Sequence, residues 1–142
     1  MDELMFNCLG PYDPALMKSL TEIEKREMEA RRAAAYRPLV YICSPYAGDV
    51  ENNTVRARAF SRFAVVKRAI PIAPHLLFPQ FMSEEKERRL ALFMGMVLLG
   101  KCDEVWVFGD RISEGMLAEI EKAKKMRKKI RYFNENMEEV TA

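Results

Sequence analysis

From Leu39 onward the chain alternates short apolar runs of strand length with longer amphipathic stretches, and this rhythm restricts its fold more than any other feature. The runs "LVYIC" (39–43), "IPIAP" (70–74), "EVWVFG" (104–109) and "KIRYF" (129–133) are rich in β-branched and aromatic residues and read as strands. Between the first two, "NTVRARAFSRFAVVKRA" (53–69) reads as an amphipathic helix with Val55, Ala59, Phe63 and Val66 on its apolar face. "SEEKERRLALFMGMVLLGK" (83–101) predicts a second helix, with Ser83 as N-cap and acidic residues in the first turn. Ser113 caps a third, running to about Arg127. Strands alternating with helices define βαβ units. The class is therefore α/β: a three-layer fold with a parallel sheet of four to five strands and helices on both faces. Right-handed crossovers leave few topologies open.

The segment before the alternation differs. Asp13-Pro14 predicts a helix start, and "ALMKSLTEIEKREMEARRAAA" carries Leu16, Leu20, Ile23 and Met28 as a narrow apolar stripe. Pro38 separates it from the rest, so residues 1–37 form an N-terminal helical extension, 38–134 the α/β domain and 135–142 a polar tail. With 142 residues, 49% of them hydrophobic, the chain is large enough to bury roughly two thirds of its unfolded surface. A net charge of +2 demands neither nucleic acid nor a membrane as partner. The longest apolar run, Leu90 to Gly100, is shorter than the ~20 residues of a spanning helix. The start "MDELMFNCLG" lacks a basic n-region and does not read as a secretory signal. Three cysteines without metal-ligand spacing and one histidine point to a reducing, cytoplasmic setting with no metal or other cofactor. The basic run "KAKKMRKKIR" fits the solvated C-terminal end of the last helix, with a nucleic-acid patch as the alternative.

In open parallel sheets, ligands bind beyond the carboxyl ends of the strands where strand order reverses. Three unusual segments fall there: "SPYAGD", "PHLLFPQF" and "GDRISEG". With the order 2-1-3-4, the first and third flank the reversal. Ser113 and Gly115 begin a helix whose free N–H groups and dipole favour an anion. At 100° per residue, Met116, Leu117, Ile120, Ala123 and Met126 define the apolar arc, and Glu119 falls inside it. A carboxylate there is either catalytic, or it snorkels from the edge of the arc or pairs with a lysine. His75, the lone histidine, reads as a hydrogen-bonded structural residue or a ligand contact. Tyr46, Gly48 and Asp49 either touch a ligand or shape a turn, with Asp49 as a local cap. Asp103 lies at the opposite end of the sheet and reads as structural.

In this order, "VYICSPYAG", "IPIAPHLLFPQF", "CDEVWVFG" and "SEGMLAEI" resemble the nucleoside 2-deoxyribosyltransferase superfamily, over about Leu39 to Phe133. The resemblance implies a Rossmann-like or flavodoxin-like fold and a small-molecule nucleoside or nucleotide as substrate. It also implies a homo-oligomer and chemistry without a cofactor. The superfamily's nucleophilic glutamate, four positions after a glycine, matches Glu119 after Gly115. In the nucleotide N-hydrolase branch a phosphate-binding serine matches Ser113, a strand tyrosine matches Tyr41 and a histidine matches His75. Gly48, Ser44 and Tyr46 fall in the matching first loop. One departure stands out: Gly95 occupies the place of the superfamily's helix aspartate, leaving Asp49 or Asp110 as candidate substitutes. The implied activity is N-glycosidic bond cleavage or transfer through Glu119, oriented by Tyr41. The alternative is a nucleotide-binding module of the same fold without catalysis.

Overall fold

The strands assemble in the order expected at an α/β switch point. In the computed structural model, which describes residues 21–141, β1 (Leu39–Cys43) lies between β2 (Ile70–Ile72) and β3 (Glu104–Phe108). Next to β3 comes β4 (Lys129–Phe133), and all three of these pairings are parallel. A fifth strand, β5 (Glu139–Val140), closes the order β2-β1-β3-β4-β5 antiparallel to β4. The polar end is therefore partly built into the sheet, held by a bidentate Arg131–Glu139 pair at 2.7 and 2.9 Å.

Alternation along each strand sorts side chains onto two faces. Tyr41, Cys43, Val105 and Val107 point to one, where α4 (Arg88–Lys101) and α5 (Glu114–Lys125) bring Leu99, Met116, Ile120 and Ala123 against them. Val40, Ile42, Trp106 and Phe108 point to the other, covered by Phe60 and Ala64 of α2 (Val50–Val66). There Phe60 and Phe133 both stack on Phe108, with centroids 4.4 and 5.0 Å away.

Three local expectations are corrected. The buried face of α2 is Ala57, Phe60 and Ala64; Val55 and Val66 are mostly exposed. The small residues of "RARAFSRFA" let the helix approach the aromatic strands closely, which periodicity alone does not rank above a valine stripe. Second, Ser83 caps a separate turn: its Oγ accepts from Lys86 N, its own N–H donates to the Glu87 carboxylate, and α4 proper starts at Arg88. Third, residues after "IPI" turn at once into a short helix α3 (Pro74–Leu77) and a 3-10 turn (Phe78–Gln80).

The chain divides between Arg37 and Pro38. In the amino-terminal unit, α1 (Glu22–Ala35) begins at a capping box: Thr21 Oγ1 accepts from Glu24 N and Thr21 N–H donates to the Glu24 carboxylate. Thr21 is extended, so no single helix runs through it; the start expected at Asp13-Pro14 lies outside the described residues. In the α/β unit, Asp103 is structural, its Oδ2 accepting from Leu39 N at 2.8 Å.

Asp49 caps α2, its Oδ1 accepting from Asn52 N at 3.2 Å. Asp49→Ala leaves that N–H without its cap and lowers stability by about 1 kcal/mol, measurable as a reduced urea midpoint at unchanged m-value.

Candidate functional site

A cavity of about 580 Å³ opens at the carboxyl ends of β1 and β2. Its polar interior is made by Tyr41 and Ser44 of β1 and its exit, together with Glu119 of α5. The strand period brings these together: Tyr41 and Cys43 share the sheet face on which α5 lies. The apolar wall consists of Pro74, Phe78, Met82, Leu92 and Met96. At the rim stand Glu84 and Arg88, an exposed pair 3.6 Å apart, and the start of α5.

Glu119 is 7% exposed, and its Oε2 has no protein partner. Burial drives its pKa up to about 7, while hydrogen bonds from the Tyr41 hydroxyl and Cys43 thiol pull it back down. The thiol also lies 3.8 Å from Met116 O, so its one proton serves the carbonyl or the carboxylate at a given moment. Burial, and then the neighbouring carboxylate, hold the Tyr41 phenol far above its ordinary range, so Tyr41 acts as a donor. Ser44, 1% exposed, presents a second buried oxygen without a partner in the protein. Native proteins rarely leave such groups unpaired. Both belong to residues that line the cavity.

Of the sequence-derived site residues, Tyr41, Ser44, Tyr46, His75, Ser113, Gly115 and Glu119 line this cavity. The Tyr46 and His75 rings meet at 4.7 Å, and burial lowers the His75 pKa to about 4, so the imidazole is neutral near pH 7. Burial, with a smaller effect from Glu84, raises that of Tyr46. Ser113 Oγ caps α5 by accepting from Met116 N at 3.2 Å. The N–H groups of Glu114 and Gly115, in the first turn, have no intrahelical acceptor.

Gly48, Asp49 and Asp110 are not among the lining residues. Gly48 has φ +95°, the left-handed region that glycine enters freely, and forms the turn into α2; a Cβ there would meet nothing within 4 Å. Asp49 is engaged in the cap described above, and Asp110 is exposed beyond β3. Gly95 does line the cavity, and a Cβ there would lie 3.5 Å from the Tyr41 hydroxyl. Sequence reading missed Arg88, Glu84 and Cys43. Arg88 and Glu84 look like an ordinary surface i,i+4 pair, and Cys43 like a small core residue. Among the described residues, no cluster of three or more His, Cys, Asp or Glu is placed to hold a metal ion. No helix among them is long and apolar enough to cross a membrane.

Tyr41→Phe removes a donor that lowers the Glu119 pKa. That pKa therefore moves higher still, visible by carboxyl NMR titration as an alkaline shift relative to the wild type.

A mostly parallel sheet in this order, with helices on both faces and a cavity at its carboxyl end, is a doubly wound α/β fold. The solved structure of a 2-deoxyribosyltransferase from the psychrotolerant bacterium Bacillus psychrosaccharolyticus superposes with a TM-score of 0.52 and 18% identity, over 72% of this chain and 77% of that one. At that identity the likeness establishes the fold alone. Residues 38–133 match the family described as a domain of unknown function, DUF7768, and the chain belongs to that family. No curated protein matches the sequence.

Proposed function

We propose that the α/β domain cleaves or transfers the N-glycosidic bond of a nucleoside or deoxynucleoside, or of its 5′-monophosphate. The observation that carries this reading is the Glu119 carboxyl, buried at the cavity with one oxygen unpartnered and a phenol donor beside it. A carboxylate beneath an anomeric carbon stabilises the oxocarbenium-like state. Glu119 forms a bond to C1′ as the C1′–N bond breaks. The electron pair leaves with the base, which takes up a proton. Water, or a second base, then displaces the glycosyl ester and returns Glu119 as carboxylate. Tyr41 orients the nucleophile, and Phe78 and Tyr46 offer flat apolar surface to the base. The start of α5, with Ser113, supplies N–H groups for a 5′-phosphate or hydroxyl.

A second reading, a nucleotide-binding module without turnover, is favoured by one observation: the carboxylate absent at Gly95 is not replaced in the cavity by Asp49 or Asp110. Incubation with a panel of deoxynucleosides, ribonucleosides and their monophosphates, read by chromatography of free base, decides between them. Base release that disappears in Glu119→Gln supports the enzyme. Binding without release, equal in wild type and Glu119→Gln, supports the module.

A further inference from the structure

The cavity is poor in groups that could protonate a departing base. With Glu119 committed as nucleophile, its interior offers Tyr41, Tyr46 and His75. Tyr41 donates to Glu119 and keeps its proton far above neutral pH, and burial raises the Tyr46 phenol as well. His75 is neutral near pH 7, and a neutral imidazole is a weak acid. Glu84 and Glu114 are exposed at the mouth, and Glu84 is paired with Arg88. Gly95, in the wall beside Tyr41, contributes only hydrogen.

The same lining leaves an ionised Glu119 without a counter-charge. Buried charges are ordinarily paired. The one guanidinium that reaches the cavity, that of Arg88, stands at the rim with its side chain 62% exposed. Three carboxylates, of Glu84, Glu114 and Glu119, therefore face a single cation. Tyr46 and Phe78 add ring faces, which attract positive charge.

Resting on the N-glycosidic reading above, we propose that the substrate is a nucleoside, or its 5′-monophosphate, whose base carries a fixed positive charge, such as a 7-alkylated purine. That charge meets both deficits. The cationic ring lies against Tyr46 and Phe78, and its charge favours the ionised form of Glu119, so binding draws the nucleophile into its reactive state. Glu119 bonds to C1′ as the C1′–N bond breaks. The electron pair goes to the base nitrogen and neutralises the ring, so the base departs uncharged and takes up no proton. Water then displaces the glycosyl ester, which returns the carboxylate and releases a proton. A neutral base would have to depart as an anion into an apolar, acid-lined cavity, which desolvation and like charge both oppose.

The test compares 7-methylguanosine with guanosine, each in ribose, 2′-deoxyribose and 5′-monophosphate form, in mildly acidic buffer where the methylated purine is a cation. The members of a pair differ by one methyl group and the charge it fixes. The full chain is incubated with each, and free base is followed by chromatography against buffer alone. In the form that is turned over, kcat/KM for the methylated member exceeds that of its parent by more than about tenfold. Glu119→Gln brings release of 7-methylguanine down to the rate in buffer. The parent nucleoside, tested as an inhibitor, binds more weakly than the KM of its methylated partner by about tenfold or more. A parent that binds as tightly as the cation overturns the proposal, because faster release then reflects only the lability of the methylated compound. Comparable release from both members, or release from ordinary nucleosides alone, overturns it and leaves the N-glycosidic reading standing. No release from either class overturns that reading with it.

Discussion

Glu119→Gln abolishes base release, lowering kcat/KM by about 10³-fold or more, because the amide keeps the shape of the carboxyl but cannot form the glycosyl ester. Loss of the whole nucleophilic step, rather than of a binding contact, sets that size. The wild type shows the complementary pH signature. A nucleophile must be ionised, and Glu119 titrates at about 7 in the free protein. The kcat/KM profile therefore rises with pH, with its acid limb near 7, and levels off above it. A profile that falls through the same range makes Glu119 a proton donor and removes it as nucleophile. Full activity in Glu119→Gln removes it from the chemistry altogether.

The same variant is more stable than the wild type in alkaline solution, by about 3 kcal/mol at pH 8. Glu119 has its folded pKa raised from 4.5 to about 7, chiefly by burial. Its contribution is fully favourable below 4.5 and is lost as pH rises through 7, because the folded state must then hold a charged carboxylate out of water. The neutral amide of the variant never meets that demand. The advantage of the variant should shrink toward zero near pH 4. His75 works in the opposite sense: burial lowers its folded pKa to about 4, so its contribution is present above the unfolded value of 6.5 and is lost as pH falls through 4. Between about 4.5 and 6.5 the two titrations oppose each other, so the wild-type stability is nearly flat there. Glu119→Gln exposes the His75 limb alone, and its stability climbs with pH over that interval. Urea denaturation of both proteins from pH 4 to 8 gives the difference directly. Equal stability at pH 8 means that Glu119 is solvated in the folded protein.

On the proposed function, that arrangement sacrifices stability for chemistry. A carboxylate whose charged form the fold penalises is a destabilising element in a core, and proteins keep such elements chiefly where they act.

Much of this architecture is visible in the residues. "LVYIC", "EVWVF" and "KIRYF" read as strands because short runs dominated by β-branched and aromatic residues between turn signals have few other low-energy states. Ser113 caps α5 through a bond to a backbone N–H three residues away, and such local bonds can be read from spacing. Glu119 stands on the buried side of α5 because 100° per residue places it there. Leu117, assigned to the same arc, is half exposed, since the width of an arc depends on what packs against it.

Length and alternation, with the residues at each turn, determined the α/β class, the parallel core of the sheet and the inward side of Glu119. All three rest on short-range periodicity and on the need to cover both faces of the sheet. Only the tertiary structure decided which face of α2 is buried, that Asp49 and Gly48 shape a turn away from the cavity, and that Glu84 and Arg88 stand at its rim. It alone also set the carboxyl of Glu119 to titrate near neutrality. Those outcomes depend on groups far apart in the chain arriving together and expelling water, and desolvation is a property of the assembled surroundings that no local spacing encodes.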